Sequence, residues 1–176
     1  MQTVLWVAVV VVAVTWYLTW TATRIDRLHA RVDGARAALD AQLLRRASVA
    51  LELATSSLLD PATSVLLAGA AHDARAAGTD DREPVESDLT KALRAAFADP
   101  DTVAAVRADP YGAGLLTELE AAARRVQLAR RFHNDAVRAT VAVRRQRVVR
   151  YLRLAGRAPM PETVEMEDTP PAAVTR

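Results

Sequence analysis

"VLWVAVVVVAVTWYLTWTATRIDRLHARVDGARAALD", Val4 to Asp40, begins as one kind of helix and ends as another. No residue from Gln2 to Thr23 carries a charge. About 22 residues at a rise of about 1.5 Å span about 33 Å, enough to cross a hydrocarbon core. Val4 opens the apolar run, Trp6 lies toward its start, and Trp16, Tyr17 and Trp20 lie toward its end. Amphipathic rings favour those two interfaces. A cleaved signal peptide would want a basic start, a shorter apolar run and a small-residue cleavage site. No Lys or Arg precedes this run, and "TWTATR" is a poor cleavage site, so the segment reads as an uncleaved anchor. Arg24, Arg27, Arg31 and Arg36 follow it at once. By the positive-inside rule the N-terminus is outside and the rest of the chain is cytoplasmic at the cell (inner) membrane.

Beyond the span the period changes. Ile25, Leu28, Val32, Ala35 and Leu39 recur at alternating steps of three and four, the pattern of a helix packed along a coiled-coil-like seam. Nothing between Thr23 and Ile25 breaks a helix, so the membrane helix is expected to run straight into the next one and on to about Leu59. Three Asp-Pro pairs then punctuate the chain, at Asp60-Pro61, Asp99-Pro100 and Asp109-Pro110. The Asp carboxylate accepts from the free N–H groups of a helix start, and Pro suits the first helical position. A second helix is predicted from Pro61 to about Ala77, with Gly78 as its stop. A third starts near Pro84 with Val85, Leu89, Leu93 and Phe97 on one face, and a short helical turn fits Pro100 to Ala108. The fourth starts at Pro110, keeps the seam through Leu115, Leu119, Ala122, Val126, Ala129, His133, Ala136, Thr140 and Val143, and reaches about Leu154. The expected fold is therefore all-α: an N-terminal transmembrane helix (1–23) continuing into an antiparallel up-down four-helix bundle (24–155). The Pro- and acid-rich end, 156–176, has no period and reads as a disordered tail.

Composition agrees with helices. Of the 176 residues 51% are hydrophobic but only 5% aromatic, and much of the apolar content is alanine. A strand-built core would want more aromatic and β-branched side chains. Net charge is +2, Lys91 is the only lysine, and an Arg and Ala bias of this kind follows GC-rich coding rather than nucleic-acid binding. The absence of cysteine excludes disulfides, thiolate metal sites and Cys nucleophiles. No phosphate loop, dinucleotide fingerprint or nucleophile elbow occurs. Glu118 and Glu120 are two apart on one helix and face different ways. No enzyme and no cofactor is expected.

The fourth helix contains an unusual polar cluster, "LARRFHNDAVR", Leu128 to Arg138. Its core "ARRFHNDAV" comprises Ala129, Arg130, Arg131, Phe132, His133, Asn134, Asp135, Ala136 and Val137. It resembles the signature of the LemA family of bacterial membrane proteins, whose usual version has Tyr in place of His133. "RVDGARAALDAQLLRR" (Arg31 to Arg46) resembles that family's first helix after its membrane span. "LTELEAAARRVQLARRF" (Leu116 to Phe132) resembles the run into the signature. "AVRRQRVVRYLRLAGRAPMPETVEMED" (Ala142 to Asp168) resembles its C-terminal end, where a Phe-Pro pair usually stands at Gln146 and Arg147. The first-helix aromatic after Arg45-Arg46 is replaced by Ala47, and the family's Leu-Ile-Pro-Asn-Leu turn by "SVALELATSSLL", so the chain is similar to a divergent member. The resemblance implies a membrane-anchored, mostly antiparallel helical bundle whose molecular role is undefined.

His133 falls on the seam. It reads either as a metal ligand or switch, or as a ring that packs and offers a hydrogen-bonding tip where Tyr would stand; we expect the packing role. Bundle metal sites use Glu-x-x-His pairs on facing helices, and none occurs here. Asn134 and Asp135 read as a partner epitope or as an internal network, with Arg45 and Arg46 as plausible mates. Arg130–Asn134 and Arg131–Asp135 also have the spacing for local pairs. Arg144, Arg145, Arg147, Arg150 and Arg153 crowd the end of the fourth helix among apolar residues. In an up-down bundle they return beside Arg24 and Arg27, at the anionic inner leaflet of the bilayer. The expected function is a non-enzymatic scaffold or adaptor of LemA type, with other membrane or cytoplasmic proteins as partners, homo-oligomers among them, and no nucleic acid. The alternatives are a ligand- or signal-sensing bundle and an outward-facing or secreted helical domain.

Overall fold

The computed structural model describes residues 1–79, 81–152, 154–156 and 158–171. Arg153, one of the arginines expected at the bilayer surface, and residues 172–176 of the tail lie outside them. The protein is helical throughout, with no strand among the described residues. In chain order the helices are α1 (Gln2–Thr55), α2 (Pro61–Ala76), α3 (Arg82–Ala96), α4 (Pro100–Ala108), α5 (Pro110–Arg144) and the short α6 (Arg147–Tyr151).

The uncharged run and the seam that follows it are one unbroken helix, α1. Its N-terminal part is long and apolar enough to cross a membrane. Val4, Trp6, Trp16, Tyr17 and Trp20 are all exposed there, whereas Ile25 is buried. α1 stops at Thr55, a turn short of the expected Leu59. Ser56 folds back, its N–H and hydroxyl both bonded to Leu53 O, and Ser57 takes a left-handed φ of 61°.

All three Asp-Pro pairs act as helix starts. Asp60 Oδ1 accepts from the N–H groups of Ala62 and Thr63 at 3.0 Å. Asp99 Oδ1 accepts from Asp101 N–H at 3.1 Å, and Asp109 Oδ1 from Tyr111 and Gly112 N–H at 2.9 Å. Gly112 is also a close approach: a Cβ there would collide with Val106 O. Hydrogen bonds from Thr63, then from Ala62, hold the Asp60 carboxyl below its ordinary 3.8. A depressed folded-state pKa favours the native protein above the unfolded value, and that contribution is lost as pH falls through the folded value. The melting-temperature gap between the protein and an Asp60→Asn variant, whose cap is neutral, should hold at pH 7 and close progressively below pH 3.8. A gap that widened on acidification would contradict this.

The chain divides into two compact units. The first comprises residues 1–36 and 132–163. In it α1 and α5 pair antiparallel: Val32 packs with Ala136 and Val137, and Ile25 with Val143 and Val149. The second comprises residues 37–131 and the chain from Val164 onward. Its main core joins α1 (Ala47, Ala50, Leu53), α2 (Leu67, Ala71), α3 (Leu89, Leu93, Phe97), α4 (Val103, Val106) and α5 (Leu115, Leu116, Leu119). A smaller cluster holds Leu39, Leu43, Val126 and Val164. The α5 seam is buried as its spacing predicts, Ala129 alone being half-buried.

Two expectations are corrected. α5 does not continue to Leu154. It ends at Arg144, the chain turns at Arg145 and Gln146, and α6 begins at Arg147. The segment read as a disordered tail has no helix or strand over 158–171. It is nevertheless fixed by packing, because Val164 is only 1% exposed and Asp168 is buried.

Candidate functional site

The C-terminal segment is a strap, and α5 carries its docking surface. From Val164 to Asp168 the strap alternates, with Val164, Met166 and Asp168 turned inward and Glu165 and Glu167 outward. That is the two-residue period of an extended chain. Val164 fills the small cluster beside Leu39, Leu43 and Val126, with Met166 and Ala129 packed around it.

An extended segment has no internal hydrogen bonds, so its backbone polar groups need partners elsewhere. Side chains supply them. In the second unit Glu167 N–H donates to Ser87 Oγ (3.1 Å), and Glu167 O accepts from Thr90 Oγ1 (2.8 Å). Gln127 Nε2 donates to Asp168 O (3.0 Å). Arg130 closes the strap with a fork: its Nε lies 2.7 Å from Asp168 Oδ2 and its Nη2 3.1 Å from Oδ1. Arg94 reaches the Glu167 carboxylate at 3.0 Å. In the first unit His133 Nε2 donates to Glu162 O (3.3 Å). Arg144 donates to Ala158 O (2.7 Å), to Pro159 O and to His29 Nε2 (3.2 Å).

Beneath the strap lies a buried ion pair. Arg46 on α1 is 2% exposed and Glu86 on α3 is 0% exposed. Arg46 Nη2 donates to Glu86 Oε2 (2.6 Å) and to Glu86 O (3.1 Å), and its Nη1 donates to Thr90 Oγ1 (3.1 Å). Thr90 thus connects the pair to the strap.

The signature therefore splits by role. Arg130 and His133 hold the strap, Asn134, Ala136 and Val137 are buried, and Ala129 lines the Val164 cluster. Arg131, Phe132 and Asp135 are exposed. Of the residues suggested as mates, Arg45 pairs with Glu118 and Arg46 with Glu86, while Asp135 pairs with Arg138. The local Arg130–Asn134 spacing is likewise overridden, because a buried carboxylate offers the guanidinium two parallel bonds. Among the arginines expected at the bilayer surface, Arg24, Arg27, Arg145, Arg147 and Arg150 are exposed. Arg144 instead spends its donors on the strap carbonyls.

Arg46 and Glu86 were legible as anomalies. Arg46 stands three residues after Leu43 on the α1 seam, and Glu86 three before Leu89 on the α3 face. A charge on a seam calls for a buried partner. Among the described residues no three His, Asp or Glu side chains are grouped to hold a metal ion. No family model, curated protein or solved structure matches the chain.

Arg130→Lys keeps the charge but loses the fork. It should lower stability by about 1–2 kcal/mol and speed cleavage after Glu165 by a glutamate-specific protease. Unchanged cleavage would mean that the Asp168 fork does not secure the strap.

Proposed function

We propose that this chain is a non-enzymatic, single-pass scaffold or adaptor of LemA type: a helical bundle tethered to the cell membrane, N-terminus outside and body in the cytoplasm. One observation carries the reading. Within the single helix α1, the large apolar side chains from Val4 to Trp20 are exposed except for the half-buried Leu18, and burial begins at Thr21 and Ile25. So long an exposed apolar helix is stable where lipid covers it. The arginines that follow the run favour the cytoplasmic side.

Two features support the LemA resemblance. Arg147 is the first residue of α6, the position at which that family has Pro and at which Pro fits a helix start. The acidic end of the resembled pattern also docks on the signature itself, through Asp168 on Arg130. The dense polar cluster thus serves to hold the chain end, a role consistent with a scaffold whose partners, a second copy among them, meet a fixed surface.

Membranes from cells expressing the full chain test the tether. The protein should stay in the pellet through an alkaline carbonate wash and leave it only with detergent. Recovery of intact protein in the wash, or of protein beginning near Arg24 in the medium, would contradict the reading.

A further inference from the structure

We propose that α6 and the adjoining start of α1 form a binding surface for anionic phospholipid headgroups, a second membrane contact besides the span. The inference rests on the reading that α1 crosses the bilayer.

Position is the first argument. Val149 of α6 is buried against Ile25 and Val143. Ile25 is two residues beyond Thr23, about 3 Å along the helix axis. The headgroup layer on each face of a bilayer is roughly 5–8 Å deep. If the uncharged run fills the hydrocarbon, α6 lies within that layer.

The second argument is what α6 leaves uncovered. Val149 is its one buried side chain. Tyr151 is 88% exposed, and Val148 and Leu152 are also exposed. Arg147 and Arg150 alternate with them, also exposed, and together these five residues line one open groove. A second groove on α1 is lined by Trp16, Thr19, Trp20, Thr23, Arg24 and Arg27. There the Arg24 guanidinium lies 5.7 Å from the Trp20 ring centre. Rings and arginines at this level suit an interface that is apolar on one side and phosphate-rich on the other. Asp26 is the one carboxylate between Arg24 and Arg31, and no acid occurs between Arg138 and Arg157.

Favourable charge at a helix C-terminus explains Arg150 but not the apolar exposure. Water would penalise Val148, Tyr151 and Leu152 together, whereas the acyl–headgroup boundary accepts them. The occupant follows from continuity with the span and from charge: an anionic leaflet rather than a soluble partner.

The chain has no cysteine, so Leu152→Cys in the full chain can carry an environment-sensitive fluorophore, with Ala95→Cys as the control. Each is reconstituted into phosphatidylcholine vesicles with and without phosphatidylglycerol. Flotation reports the span, and emission with quenching by headgroup-region spin-labelled lipid reports α6. With phosphatidylglycerol the residue-152 probe should shift to the blue and be quenched, the residue-95 probe should not, and salt should reverse the shift. Adding Arg147→Gln and Arg150→Gln should cut the ratio of inserted to free α6 roughly 30-fold. Floating chains with a solvent-like residue-152 probe, or with equal insertion in phosphatidylcholine alone, would overturn this contact and leave the span intact. Failure to float would overturn the span, and the contact with it.

Discussion

Replacing Glu86 with leucine is expected to lower the unfolding free energy by about 3–5 kcal/mol, because Arg46 would keep its charge in a buried site with no counter-charge. Both side chains are essentially without solvent access. Truncating one partner therefore costs more than the pair contributes. Within the described residues Arg46 Nε and Glu86 Oε1 have no hydrogen-bond partner, so the pair is incompletely satisfied even when intact. The double variant Arg46→Met with Glu86→Leu should for that reason recover most of the loss. Thermal or urea unfolding of the two single variants and the double variant measures this as a coupling energy. Additive losses would mean that the two charges do not depend on each other. The double variant should also weaken the strap, since Thr90 bonds both to Arg46 and to Glu167 O.

The second large effect is at Leu119, which lies in the main core. Leu119→Asp removes a packed side chain and puts a carboxylate in its place. The cavity and the buried charge together should cost about 4–6 kcal/mol at neutral pH. That is a large share of the total stability of a domain of this size, roughly 5–15 kcal/mol. The expected result is a broad or absent unfolding transition at pH 7, part of it regained near pH 5, where the buried acid takes up a proton. Leu119→Met, which conserves volume, should cost less than about 1.5 kcal/mol. Unchanged melting of the Asp variant would place Leu119 outside the core.

Most of the helical scaffold was legible because its signals are local and periodic. Asp-Pro pairs mark helix starts by their own hydrogen bonding, and the seam of α5 predicts burial from Leu115 to Val143. The failures have a common physical cause. The turn at Arg145 and Gln146 contains neither Pro nor Gly. It accompanies the seating of Val149 against Ile25, more than a hundred positions away in the chain. The strap was missed for a related reason. A short extended segment with acids at alternate positions has the composition of a disordered tail. Its order comes from Val164, from Asp168 and from backbone groups met by Ser87, Thr90 and Gln127. The polar signature was conspicuous, but its mates could not be paired by spacing along one helix, since Arg130 finds its carboxylate 38 residues on.

The proposed tethered topology is tested most directly by single-cysteine labelling of the full chain in intact cells. Thr3→Cys and Ala95→Cys place one exposed thiol at the start of the apolar run and one on α3. The account predicts that a membrane-impermeant maleimide labels Thr3→Cys in intact cells and reaches Ala95→Cys only after lysis, with both proteins in the membrane fraction. Labelling of Ala95→Cys in intact cells, with Thr3→Cys protected, would contradict it.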